Sequence, residues 1–359
     1  MTASEPVPVV CPAPATHTGP DHDRELDPLV ARLADTAPLT AALTFPRGTL
    51  QPDGRLDLCK QALSPLDARR VVAAAADSPH ATHLLLGTNS LGAGGIEALA
   101  QALGHGHQVR TLYLGCNHVD AEGLAPLVDR LAGDRSVRAL WLKRNPIGDA
   151  GVAALARVLA SNATIRTLDL TNTGMTVAGL RTLADALDER GVPLERLYAG
   201  GNGWGPEAGP IFARLLRSGL AELYLAAGRL GDDGAAAIAE ALGGDRPTRV
   251  VLGLGGNGLS PAGVRPLAEQ LRALWTLDLA RPPSALALGA LPNAVGDEGA
   301  AAIARALPGS GLRRLELRHT GVTGRGARLL VEAEQFQDGP LVPRLDEQPG
   351  PTPRHAGVT

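Results

Sequence analysis

Ile165 to Leu187 reads IRTLDLTNTGMTVAGLRTLADAL, and the same spelling returns at nearly constant spacing along most of the chain. Leu168 and Leu170 flank Asp169, an alternation that puts both leucines on one face of a short strand. Leu180, Leu183, Ala184 and Leu187 follow at spacings of three and four, the apolar stripe of a helix. One unit is therefore strand, turn and helix. Neither half buries its apolar side alone, so copies must stack until the leucines of each are covered by the next.

Working outward, strand cores align at Leu56 with Leu58, Leu84 with Leu86, Leu112 with Leu114, Leu140 with Leu142 and Leu168 with Leu170, in steps of 28 residues. The series continues at Leu197 with Ala199, Leu223 with Leu225, Leu252 with Leu254, Leu277 with Leu279 and Leu315 with Leu317, in steps of 29, 26, 29, 25 and 38. Asn89, Asn117, Asn145, Asn202 and Asn257 stand three residues past the second apolar position, with Gln61, Thr173, Gly228 and Thr320 as variants. A buried amide there can bond the turns above and below, satisfying polar groups left as the strand ends. Further on, glycines such as Gly95, Gly123, Gly151 and Gly179 open each helix, where a missing side chain allows close approach to the neighbouring coil.

This pattern, LxxLxLxxNxL followed by a helix with a period near 28, resembles the leucine-rich repeat family, and within it the ribonuclease-inhibitor-like subfamily. The resemblance covers residues 53–334 and implies an α/β solenoid, a horseshoe of about ten repeats with a parallel sheet on the concave side and helices on the convex side. Ten strands at about 4.8 Å give an inner rail of roughly 45 to 50 Å.

Outside the repeats, residues 1–24 are rich in proline, threonine and small residues and read as a disordered tail. Residues 25–52 form the expected N-terminal cap, with a helix over 25–34, a strand over 39–45 and a turn at Pro52, Asp53 and Gly54. Residues 335–359 read as a C-terminal cap, with Leu341, Val342 and Leu345 over the last coil, running into a disordered proline-rich tail from Gln348. One unit breaks step: the asparagine expected after Leu279 arrives only at Asn293, so residues 281–292 carry an insertion. Its Leu286, Leu288 and Leu291 suit a lid on the sheet, a partner contact, or packing on their own repeat.

The formal charge of -3 lacks the global basic excess of a dedicated nucleic-acid binder. Lys60 and Lys143 are the only lysines among 34 basic residues, a bias that reads as the codon usage of a GC-rich bacterial genome. Cys11, Cys59 and Cys116 have no metal-ligand spacing and suit a reducing cytoplasm. Cys11 follows Val9 and Val10 as a lipidated cysteine can, but no apolar h-region precedes it, and no run is long enough for a membrane span.

Chemical motifs are sparse. Gly253, Gly255 and Gly258 spell GxGxxG with Asp278 twenty residues beyond, a dinucleotide fingerprint on paper. The repeat register already places a strand and a helix there, however, and gives Asn257 and Asp278 their usual repeat positions. Neither lysine follows glycine as a Walker A loop requires, and neither HExxH nor GxSxG occurs. His105 and His107 in GHGHQ read as a solvated turn rather than a metal site. No cofactor, metal or catalytic constellation is expected.

What remains is the inner surface. The residue between the two core positions of each strand reads Asp57, Leu85, Tyr113, Trp141, Asp169, Tyr198, Tyr224, Gly253, Asp278 and Glu316. All three tyrosines are in this column, although aromatics make up 3% of the chain, and the flanking leucines already supply the core. Such rings give large contact area at small entropic cost; the other reading is ring stacking between neighbouring strands. Arg110, Arg138 and Arg166 run beside them, with Lys143 and Arg144 at a strand end and Arg55 and Lys60 at the first strand. A mixed charged rim around aromatic anchors is the anatomy of a protein-binding face, and points to a protein partner with some acidic character. The expected function is a non-catalytic interaction module. The alternative that the family resemblance brings is a regulator like the GTPase-activating leucine-rich repeat proteins; a nucleotide-binding enzyme at Gly253–Gly258 is the third.

Overall fold

The computed structural model describes residues 8, 9, 11, 24–244 and 248–334, and the backbone of 342–344. The first elements are α1 (Asp27–Ala34), β1 (Leu43–Thr44), β2 (Thr49–Leu50), β3 (Arg55–Asp57) and α2 (Pro65–Ala76). Strand and helix then alternate through β4 (His83–Leu85), α3 (Gly92–Ala102), β5 (Thr111–Tyr113), α4 (Ala121–Ala132), β6 (Ala139–Trp141), α5 (Gly148–Leu159), β7 (Thr167–Asp169) and α6 (Val177–Glu189). The alternation continues with β8 (Arg196–Tyr198), α7 (Gly209–Arg217), β9 (Glu222–Tyr224), α8 (Gly231–Leu242), β10 (Val250–Gly253) and α9 (Pro261–Glu269). It closes with β11 (Leu274–Asp278), α10 (Gly296–Ala306), β12 (Arg314–Glu316), α11 (Gly324–Glu334) and β13 (Val342–Arg344).

Among the described residues these strands form one 13-stranded sheet in chain order. From β3 to β13 every pairing is parallel. Register follows the repeat: Leu84 pairs Leu112, Leu112 pairs Leu140 and Leu140 pairs Leu168. The paired leucines are fully buried between sheet and helices, so the alternation read from the sequence sets which face is dry. The expected α/β leucine-rich solenoid is the fold observed.

The asparagines hold the strand ends together. Asn145 Nδ2 donates to Leu114 O (2.9 Å) and Leu142 O (3.0 Å), while its Oδ1 accepts from the amides of Asn117 (2.9 Å) and Val119 (3.1 Å). Asn89, Asn117 and Asn293 repeat that four-bond pattern. Thr173 keeps the bond to its own coil, from Oγ1 to Leu170 O (3.0 Å). Its hydroxyl is too short to reach the preceding coil, and the Asn145 amide turns to Leu142 O at 3.3 Å instead.

A second ladder joins the helix starts, and it was not read from the sequence. Asp149 accepts from the amide and hydroxyl of Thr176 (2.7 and 2.6 Å), and Asp297 does the same for Thr323 (2.8 and 2.7 Å). Asp232 binds Ser260 in the same way. A Cβ on Gly179 or Gly263 would lie 2.3 or 2.2 Å from the Asp149 or Asp232 Oδ1. These glycines therefore make room for a neighbour's carboxylate rather than only for close backbone contact.

The ends differ from the sequence expectation. In the N-terminal region the strand expected over 39–45 shrinks to β1, which pairs antiparallel with β2, and β2 with β3. The turn between them buries Arg47 completely, against Asp67 (3.2 Å) and Gln61 O (2.7 Å). At the other end β13 adds to β12, while Leu341 and Leu345 lie outside the described residues.

His107 corrects the reading of GHGHQ as a solvated turn. His105 is exposed, but His107 is buried with Nε2 2.8 Å from Asp134 Oδ2, and its Nδ1 accepts from the Val109 amide (3.1 Å). Burial alone would raise Asp134, but the bond from His107 and the amides of Val137 and Ser136 outweigh it and hold the carboxyl down to about 2. The pair locks the loop before β5.

Removing one rung should show what the ladder contributes. Asn145→Ala strands two carbonyls and two amides in a dry interior, and is expected to cost about 3 kcal/mol or more. Urea unfolding measures it; a loss below about 1 kcal/mol would mean the coils satisfy these groups by other means.

Candidate protein-binding face

Strands β5, β6, β8 and β9 place Tyr113, Trp141, Tyr198 and Tyr224 in one register column on the face away from the helices. The rings touch in sequence. Centroids are 6.1 Å apart for Tyr113 and Trp141, 5.0 Å for Trp141 and Tyr198, and 4.4 Å for Tyr198 and Tyr224, the last pair stacked at 2°. Each ring is nevertheless only partly buried. Row and stack are the same object.

Trp141 and Tyr198 sit two strands apart, about 9.6 Å of backbone. Their centroid distance of 5.0 Å means that they lean together over β7. Beneath them Asp169 is 2% exposed, so it is not the open rim charge expected from the sequence. Burial raises its carboxyl, partly countered by the Thr171 amide (2.9 Å) and the Lys143 charge. Asp57 and Asp278 likewise accept from the amide two residues on, Cys59 and Ala280, each at 2.9 Å. This column position therefore ties the strand end as well as facing outward.

Lys143 lies with Nζ 5.3 Å from the Tyr113 ring centroid. Burial alone would lower its ammonium, but Tyr113 and the charge of Asp169 raise it overall. The Tyr113 ring occupies the space over Gly87, where a Cβ would sit 2.3 Å from Cε1. Tyr113 and Trp141 line a hollow of about 440 Å³ with Leu85, Thr111, Thr167, His83 and Arg196.

Other expected residues are distributed differently. Arg138 and Arg166 line a separate hollow with Arg135 and Arg196 at the strand starts. Arg144 is partly buried, Lys60 is exposed, and exposed Arg55 pairs with Asp53 at 2.8 Å. Glu316 is 2% exposed, bonded by Arg314 and Arg318. Trp275 at the start of β11 escaped the sequence reading. It is 47% exposed with the Arg313 guanidinium 5.7 Å from its ring centroid.

The 281–292 insertion folds back across the turns that follow the inner strands β8 and β10. Leu291 exchanges backbone bonds with Gly256 (3.0 Å) and Gly258 (2.8 Å), and buried Leu288 reaches Gly201, where a Cβ would lie 2.7 Å from Cδ2. Pro282 and Pro283 wall a hollow of about 500 Å³ with Tyr224, Gly253, Gly255 and Asp278. Leu286 is 91% exposed. The same contacts engage part of the GxGxxG loop. The amides of Asn257 and Leu259 go to Asn293 Oδ1 and that of Gly258 to Leu291 O, so these three are already engaged within the fold. Among the described residues no group of three His, Cys, Asp or Glu is placed to hold a metal, and no helix is long and apolar enough to cross a membrane.

Comparison with known proteins accords with this architecture. The model for the family described as leucine rich repeat matches residues 107–128, 133–156 and 161–184, three consecutive units of the array. Among solved structures, the chain is similar to a chain of the Rad7 and Elc1 complex in yeast at 15% identity and a TM-score of 0.51. That match covers 76% of this chain and 65% of the other, so this chain spans just under two thirds of that structure's length. Actin-binding site 2 of leiomodin-1 matches at 14% identity and a TM-score of 0.36, covering 46% and 88% of the two chains. The tropomodulin C-terminal domain of Caenorhabditis elegans matches at 17% and 0.29, covering 50% and 90%. No curated protein sequence matches the chain. The molecule is a solenoid of leucine-rich repeats.

The buried carboxylate under the rings makes a pH test. Asp169 has its folded value raised above the unfolded one, so its contribution to stability is largest below the ordinary Asp value and falls as pH rises above it. Asp169→Asn keeps an acceptor for the Thr171 amide and removes the desolvated charge. It should raise the melting temperature at pH 7 and change it little at pH 3; thermal melts across that range check it, and a lower melting point at pH 7 contradicts the assignment.

Proposed function

We propose that this chain is a non-catalytic protein-interaction module, of the ribonuclease-inhibitor-like repeat type, whose concave face holds a protein partner. The observation that carries the reading is the row Tyr113, Trp141, Tyr198 and Tyr224, four rings in contact with one another and each still partly open to solvent. The core does not need them, since Leu112, Leu114, Leu140 and Leu142 are fully buried on the opposite side of the strands. Large, rigid rings already held by their neighbours lose little freedom on binding, which is what makes such side chains strong anchors.

The surroundings fit a protein ligand. Lys143, Arg196 and Glu222 give polar contacts beside the apolar row, and the Arg138 and Arg166 hollow offers positive charge to an acidic neighbour. A chain of similar fold stands in a two-protein complex, Rad7 with Elc1, which supports interaction as the use of the scaffold. The proposed partner surface comprises Asp57, Tyr113, Trp141, Lys143, Arg144, Tyr198, Tyr224 and Asp278, with Asp169 and Glu316 supporting from beneath.

Tyr113→Ala with Trp141→Ala should weaken partner capture by about 2 kcal/mol per good anchor, roughly 30-fold in Kd. Losing their stacking lowers folding stability by only about 0.5 to 1.5 kcal/mol. Affinity capture from native lysate, quantified by mass spectrometry beside a thermal melt, separates the two effects. Undiminished capture by the double variant would sink the reading.

A further inference from the structure

The first residue turning away from each strand takes a left-handed backbone: Lys60, Thr88, Cys116, Arg144 and Asn172 have φ between 50° and 60°. They recur every 28 residues and form a rim, one position per coil. Pro8 and Cys11 lie on this rim. Asn172 Nδ2 donates to Pro8 O (3.4 Å), and Cys11 Sγ donates to Arg144 O (2.8 Å). The Cys116 amide bonds Lys143 O (2.9 Å), the carbonyl next to the one that takes the Cys11 thiol, so the two cysteines meet at one point of the rim.

The spacing is self-consistent. From the Asn172 coil to the Cys116 coil is two strand spacings, about 9.6 Å. Three residue steps from Pro8 to Cys11 reach about 10 Å when extended. Pro8 therefore lies on the Asn172 coil and Cys11 on the Arg144 coil, next to the coil that carries Cys116.

We propose that Cys11 and Cys116 are a modification site: a dithiol that closes to a reversible disulfide by exchange with a small disulfide such as oxidised glutathione, fixing the N-terminal segment to the rim. Cys59 does not compete for either partner. It follows β3, two strands and about 10 Å from the Cys116 coil, and it occupies the strand-end position of Gly87 and Gly115 rather than the rim position.

The chemistry balances with glutathione disulfide as oxidant. One thiol loses its proton and attacks a glutathione sulfur, forming a mixed disulfide and releasing one glutathione thiolate. The second cysteine thiolate attacks the protein sulfur of that mixed disulfide and releases the other. Two electrons pass from the cysteine pair to glutathione, and the two cysteine protons end on two glutathione thiols. Burial and the adjacent Cys116 push the Cys11 thiol up to about 11, so at neutral pH Cys11 rests as a thiol and its exchange is slow. Closure then depends on the approach of the two sulfurs, which the seat of Cys11 on Arg144 O favours.

The test treats the full chain with oxidised glutathione at pH 8, quenches with an alkylating agent and maps linked peptides by mass spectrometry under non-reducing conditions. The free thiol count should fall from three to one. The linked peptide should join Cys11 to Cys116, and Cys59→Ser should give the same link. Closure in the folded chain should be about tenfold faster than in urea, where the intervening chain dilutes one thiol from the other. A link that includes Cys59, a lasting glutathione adduct on Cys11 beside an alkylated Cys116, or equal rates folded and unfolded would overturn the assignment. Excess reduced glutathione should reopen the bond; a link that resists it is not the reversible site proposed.

Discussion

A strand of three residues ends almost as soon as it begins, and its last carbonyls and the amides of the turn beyond it lie in a dry interior. Water cannot reach them and the sheet does not, so most coils place a side chain that both donates and accepts at that point, with Gly228 leaving it bare. Asparagine meets the need because one amide group faces two coils at once: its nitrogen holds a carbonyl of its own coil and one of the coil before, and its oxygen holds two amides of the coil before. Everything else about the molecule presupposes that these groups are satisfied. With them satisfied, leucines can fill the space between sheet and helices without interruption, and the opposite face of every strand is released from supplying the core.

That release is what makes the outward column informative. A side chain there contributes to its neighbours only as far as it can reach across to the next strand, and the rings do so, closing over Asp169 and filling the space above Gly87. Their mutual contact gives them fixed positions before any partner arrives. The acid beneath them and the lysine beside them complete a surface that is apolar along its middle and charged at its margins.

Much of this was legible from spacing alone. Leucine pairs in steps of 28 residues fixed the strands, their register and the buried face, because a period-two alternation next to a 3.6-residue stripe has few ways to pack. The ring column was legible for the same reason. Asp169 was misjudged as an open charge because pattern shows which way a side chain points and not how far its neighbours lean. His107 was misread because its partner Asp134 lies a whole coil away, beyond any local motif. The Asp149 to Thr176 bridges had left a trace in the sequence, GDxG in one unit followed by Thr or Ser opening the next helix. The trace spans two units and is invisible when each is read by itself. The course of the insertion was not legible, since a loop carries no period.

That insertion changes how the array can come apart. A solenoid whose coils touch only their neighbours can unzip from either terminus, one coil at a time, with partly frayed species along the way. Leu291 bonded to Gly256 and Gly258, together with Leu288 seated against Gly201, fastens a late coil to ones well upstream of it. Peeling back the coil that carries the insertion must break all of those attachments together. Stepwise fraying from that end therefore gives way to an all-or-none event spanning several coils, and the half-opened intermediates with bare leucine edges, the species most prone to aggregate, are kept scarce.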